Sequence, residues 1–167
     1  GVIGADAGCA FPTAVAVTAA GRILVSDPGW RARFQSGRVV VMEADGTAAR
    51  PWLGKVAGDE FGIKDLLVLD NGEVLALENN TMLRLDNDGN ILSSVKMNPG
   101  VYNHVGIAPR AGGSLLVIGG GRTGQEAEVA PDGALRRTWR STRSGPGNPD
   151  RPTGLAAGTG PDGGAHT

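Results

Sequence analysis

Residues 66–89 run Leu66-Leu67-Val68-Leu69, Asp70-Asn71-Gly72, Val74-Leu75-Ala76-Leu77, Met82-Leu83-Arg84-Leu85 and Asn87-Asp88-Gly89. Short apolar runs separated by Asn, Asp and Gly are strands joined by tight hairpins, because those turn residues tolerate positive φ. The same order stands upstream as Ala14-Val15-Ala16-Val17, Gly21, Ile23-Leu24-Val25, Val39-Val40-Val41-Met42 and Asp45-Gly46. Downstream it returns as Val105-Gly106-Ile107-Ala108, Gly112-Gly113, Leu115-Leu116-Val117-Ile118, Glu126-Ala127-Glu128-Val129 and Asp132-Gly133. A fourth copy opens at Pro152-Thr153-Gly154-Leu155-Ala156 and reaches Asp162-Gly163.

An internal repeat of four short strands, each unit unable to bury both its faces alone, predicts an all-β fold built of β-propeller blades. Residues 1–167 form a single propeller segment. Blade 1 spans about residues 9–56, blade 2 about 61–98, blade 3 about 103–142, and a partial fourth about 150–167. Single-chain propellers close with about four to eight blades, since closure removes exposed sheet edges. The ring is therefore incomplete in this chain. The remaining blades are expected from missing sequence in a longer polypeptide, the alternative being other subunits.

Composition narrows the partners. At 40% apolar and 20% charged residues the chain is globular rather than disordered. Its net charge of −1 gives no electrostatic reason to expect nucleic acid. No apolar run approaches the length of a membrane-spanning helix, so no membrane span is expected. The one cysteine, Cys9, has no internal disulfide partner and reads as a buried thiol. The chain begins at Gly1 with no charged segment leading into an apolar core. Any signal peptide is thus expected to be gone already, and a secreted or periplasmic setting is favoured.

Turn lengths assign the faces. With strands lettered A to D from the centre outward, the A–B and C–D turns share one face, while the B–C and D–A connections share the other. The short glycine turns all belong to the first group. The segments 27–37, 50–64, 97–104, 119–125 and 140–152 belong to the second, the face on which a rigid scaffold with variable loops is expected to bind. Candidate ligand-binding residues follow: Lys64, Asp65, Asn103, His104 and Arg151 at successive D–A entrances, and Trp30 beside Arg31, Arg33 and Phe34. His104, with its near-neutral pKa, is the candidate catalytic residue; a hydrogen-bonded structural histidine is the plainer reading. Trp52, Val95 and Trp139 each lie six residues beyond a C–D glycine and read as packing between blades.

Other motifs resolve into structure. Asp59-Glu60 reads as a solvated loop pair, and Asp86-Asn87-Asp88-Gly89-Asn90 as a hairpin turn rather than a calcium loop. Gly119-Gly120-Gly121-Arg122-Thr123-Gly124 precedes a strand, so no helix N-terminus is offered to a phosphate. No metal-ligating motif occurs.

Pro152-Thr153-Gly154-Leu155-Ala156 followed by Pro161-Asp162-Gly163 resembles the opening of NHL-type blades, as does Pro12-Thr13-Ala14-Val15-Ala16 running into Gly21-Arg22-Ile23-Leu24-Val25-Ser26-Asp27. The repeats resemble a six-bladed superfamily of NHL-repeat, gluconolactonase-like and strictosidine-synthase-like proteins and soluble quinone-dependent sugar dehydrogenases. That resemblance implies a six-bladed ring. Fold and loop distribution lead to a module that binds a small molecule or protein on the long-loop face. The alternative is a channel-centred enzyme, either a metal-dependent lactone or ester hydrolase or a quinone-dependent sugar dehydrogenase. Calcium or a quinone cofactor belongs only to the enzyme. In gluconolactonase-like members an Asp in a Pro-Asp-Gly opening ligates the metal; here Thr13 and Thr153 hold that position. Neither supplies the charged oxygen a hard cation prefers.

Overall fold

A computed structural model describes residues 12–27, 38–47, 50–53, 62–78, 80–97, 104–110, 112–119, 125–140, 158–159 and 165–166. Among them every regular element is a strand. β1 (Ala14–Val17), β2 (Ile23–Asp27), β3 (Arg38–Met42) and β4 (Arg50–Leu53) form one four-stranded sheet in sequence order. β5 (Ile63–Val68), β6 (Val74–Glu78), β7 (Thr81–Leu85) and β8 (Ile91–Lys96) form the second. β9 (His104–Pro109), β10 (Leu115–Gly119), β11 (Gln125–Val129) and β12 (Leu135–Arg140) form the third. β13 (Gly158–Thr159) and β14 (Ala165–His166) make a two-stranded antiparallel pair.

Hairpin chemistry sets the register. In the A–B turns the amides of Thr18, Leu69 and Arg110 donate to the carbonyls of Arg22, Glu73 and Ser114. In the C–D turns Glu43, Asp86 and Ala130 donate in the same way to Thr47, Asn90 and Ala134. A carboxylate closes each C–D turn. Asp45 accepts from the Thr47 amide, Asp86 from the amides of Asp88 and Asn90, and Asp132 from that of Ala134. The Thr47 hydroxyl and the Asn90 side-chain amide add their bonds to Asp45 and Asp86, and hold both carboxyls below the usual aspartate range. These are structural turns, as their sequence suggests, and Asp86 spends its oxygens on its own loop.

The chain divides into two compact units, residues 1–79 with 83–94, and residues 80–82 with 95–167. In the first, Leu24, Val39, Val41, Trp52 and Leu53 of one sheet pack on Ile63, Leu66, Val74, Ala76, Leu83 and Leu85 of the next. The second strand of each of these sheets is buried or nearly so, which explains its unbroken apolar run. Burying each such side chain contributes roughly 1.5–3 kcal/mol.

Trp52 fixes how the two sheets meet. Its indole N–H donates to the Asn87 carbonyl at 3.0 Å, and Arg22 Nη2 donates to the same oxygen at 3.1 Å. Two residues on, Gly89 has φ +85°, and a Cβ there would collide with the Trp52 carbonyl. In the second unit the arrangement recurs with a smaller side chain. A Cβ on Gly133, φ +82°, would lie 2.5 Å from Val95 Cγ1. The residue six positions past a C–D glycine therefore sits against the C–D glycine of the following repeat, as the sequence spacing predicts for Trp52 and Val95.

Gly89→Ala should accordingly cost about 3 kcal/mol or more in urea-induced unfolding, combining left-handed strain with a backbone collision. Gly112→Ala, with φ +82° but no atom within 4 Å of its Cβ, should cost only about 1–2 kcal/mol.

Candidate functional site

Each strand A begins, and each strand B ends, on the face that carries the B–C and D–A connections. In the first unit a side chain ties two of these ends together. Thr13 donates its backbone N–H to the Ser26 carbonyl and its hydroxyl to the Ile63 carbonyl, both at 3.0 Å. With the Thr13 proton committed to Ile63, the Ser26 hydroxyl donates to Thr13 Oγ1 at 2.9 Å and accepts from the Ala14 amide at 2.9 Å. The Thr13 hydroxyl is thus a strut between the entrances of β1 and β5. Among the described residues no three His, Cys, Asp or Glu side chains converge.

Charge gathers around this strut. Asp27 ends β2 and Glu78 ends β6, and both are buried, 3% and 5% exposed. Asp27 pairs across the ladder with Arg38 at the start of β3, with Arg38 Nη2 3.5 Å from Asp27 Oδ2. Glu78 lies opposite Ile63, whose carbonyl holds Thr13. Burying carboxylates is costly unless they are paired, so their recurrence at one strand end marks a specialised environment.

β5 enters the sheet through a bulge. Ile63 faces Glu78 and Asp65 faces Leu77, which leaves Lys64 as the extra residue. The third sheet repeats this: His104 faces Gly119 and Gly106 faces Ile118, with Val105 extra. A β-bulge re-aims a side chain and bends its strand, and bulges are frequent beside active sites. Asp65 Oδ1 accepts from the Leu66 amide at 2.9 Å, which stiffens the strand just past Lys64.

Of the residues predicted from sequence, Lys64 and Asp65 directly follow Ile63, the ladder partner of the buried Glu78. His104 is the first residue of β9, at the equivalent entrance of the third repeat. Asn103, Arg151 and Trp30 lie outside the described residues, as do Cys9, Asp59-Glu60, Arg31, Arg33 and Phe34. Sequence reasoning missed Asp27, Arg38 and Glu78. The signal was present, since Asp27 and Glu78 each follow an A–B glycine, Gly21 and Gly72, by the same six residues. The B–C connection of the second sheet, residues 79–80, is short and was not among the long segments expected to carry the site. Asn80 there carries a buried Oδ1 without a hydrogen-bond partner among the described residues.

No protein-family model and no curated protein matches this sequence. Solved structures do resemble it. Virginiamycin B lyase from Staphylococcus aureus aligns at 16% identity and TM-score 0.63, over 93% of this chain and 47% of its own. A gluconolactonase from Xanthomonas campestris aligns at 23% identity and TM-score 0.61, over 89% and 53%. The WD40 domain of Neurospora crassa Pan2 aligns at 11% and 0.63, over 87% and 41%. The chain spans about half the length of these structures. WD40 repeats are propeller blades, and with three four-stranded antiparallel sheets in sequence order the fold is a β-propeller segment.

Thr13→Val should cost about 1–3 kcal/mol in chemical denaturation, because it strands the Ile63 carbonyl and removes the partner of Ser26. Thr13→Ser, which retains the hydroxyl, should recover most of that loss.

Proposed function

We propose that the chain is part of a β-propeller module that binds a small-molecule or protein ligand on the face carrying the B–C and D–A connections. The recurrent bulge at the strand-A entrances carries this reading. It falls at Lys64 in the second sheet and one residue past His104 in the third, where alternation along an unbroken strand would otherwise fix the side-chain direction. The buried Asp27 and Glu78 support it. The opposite face is occupied by tight turns whose Asp side chains are consumed by their own backbones.

Lys64, Asp65, Asn103, His104 and Arg151 would line the binding face, with Trp30 beside it. Lys64 brings a cation, His104 an imidazole and Asp65 a carboxylate, so the expected ligand is polar, with hydroxyl or carbonyl groups. A second reading is a channel-centred enzyme, with His104 as its acid or base. It is favoured by a lyase and a gluconolactonase among the similar structures, which are alike to this chain in fold alone. A bound divalent metal or a quinone absorbance band in the purified protein would decide for the enzyme.

A thermal-shift screen with sugars, sugar lactones and linear peptides tests the face assignment. A compound that raises the melting temperature should lose most of its effect in Lys64→Ala and His104→Ala, and keep it in Asp132→Ala. Loss of the effect in Asp132→Ala, with both other variants unchanged, would place binding on the hairpin face and contradict the proposal.

A further inference from the structure

Each four-stranded sheet ends in an outer strand, and the three outer strands, β4, β8 and β12, are guarded differently. An outer strand offers a row of unpaired N–H and C=O groups, which proteins blunt with proline, with charge or by keeping the strand short. β4 is four residues long and carries Pro51. β12 carries Arg136, Arg137 and Arg140. β8, Ile91-Leu92-Ser93-Ser94-Val95-Lys96, has no proline and one charge, at its far end. Its Ile91 and Leu92 are 49% and 52% exposed. An apolar pair on an unguarded edge invites another strand.

The backbone shows which groups that strand would meet. The Met97 N–H donates to the Asn80 carbonyl at 2.8 Å, so the chain points toward the β7 side at Met97. Alternation turns Val95 and Ser93 the same way and directs the N–H and C=O groups of Ser94 and Lys96 outward. Ser94 and Lys96 are also exposed, whereas Val95 is taken up against Gly133.

We propose that the β8 edge pairs antiparallel with β8 of a second copy of this chain, about a twofold axis beside Ser94. Two identical antiparallel strands sharing one sheet must have a residue that faces itself, because side chains alternate with period two. Ser94 suits that place: its outward N–H and C=O exchange two bonds with those of its copy, and its side chain is small and uncharged. Lys96 then faces Leu92 of the second copy, so no like charges meet. Centring on Ser93 would instead set Lys96 against Asn90, which is committed to the Asp86 turn. β12 cannot pair with itself in this way, since three arginines from each copy would share one ladder. A contact of one strand a side lies at the low end of specific interfaces, below about 1,200 Å² in total, so the dimer is weak and concentration-dependent.

Sedimentation velocity of the purified protein from micromolar to millimolar concentration tests this, with circular dichroism and melting temperature checking that each variant is folded. The wild type should pass from monomer to dimer, and hydrogen exchange at the Ser94 and Lys96 amides should slow over the same range. Ser94→Lys and Ser94→Glu each set like charges face to face and should weaken self-association about tenfold or more. Mixed in equal amounts, they should form a heterodimer of near wild-type affinity, because Lys and Glu then face each other across the axis. Thr138→Lys on β12 should leave association unchanged. A protein monomeric throughout would overturn the proposal, even if an added apolar peptide protected the Ser94 amide, since the occupant would then be another extended segment. So would a dimer indifferent to both Ser94 charges, or a mixture that fails to recover association.

Discussion

The contact between a fourth-strand side chain and the glycine turn of the following repeat is the constraint on which this structure depends. A four-stranded antiparallel sheet this short has two apolar faces and no means of covering both. Trp52 resolves that for the first pair of sheets by combining apolar area with a hydrogen bond to a turn carbonyl that Arg22 also engages. Gly89 is required by the same contact, since its conformation is left-handed and the Trp52 backbone occupies the place of a Cβ. The core of Leu24, Val41, Leu66, Val74 and Leu85 supplies most of the burial, but it is non-directional. The Trp–glycine contact supplies the register between sheets.

That rigid stacking separates the two ends of each strand chemically. At the A–B and C–D end, carboxylates such as Asp45 and Asp86 are turned back on their own loops and kept ionised by the amides and side chains they accept from. Because their folded pKa values lie below the unfolded ones, their stabilisation is complete above the ordinary aspartate range and fades as pH falls through the depressed values. At the other end the carboxylates of Asp27 and Glu78 are buried next to strand entrances, and Lys64 leaves the ladder through a bulge. One end is a set of closed turns. The other carries two buried carboxylates and a β-bulge at Lys64.

The fold was legible in the sequence because it is encoded locally and repeatedly. Asn71-Gly72, Asp88-Gly89 and Asp132-Gly133 announce their hairpins, and the offset from Gly46 to Trp52 announces the packing between sheets. The site was only partly legible. Lys64 and Asp65 stand out in the sequence as candidates because they precede an obvious strand, yet the bulge that sets Lys64 apart depends on pairing with β6, which no local pattern reports. Asp27 and Glu78 were overlooked because a carboxylate closing an apolar run looks like a strand terminator, and its burial is decided by neighbouring strands. Trp139 shows the opposite failure. Its offset reads as core, but it is half-buried with the Arg110 and Arg137 guanidiniums against its ring, contacts that no local pattern reports.

The most direct measurement of the central contact is a nuclear Overhauser spectrum of the labelled protein in solution. The account requires cross-peaks from the Trp52 indole protons to the Gly89 α-protons and from the Val95 methyls to those of Gly133. Strand chemical shifts over 63–68, 74–78 and 81–85 with neither cross-peak would mean that the sheets form without stacking through their turns, and would contradict it.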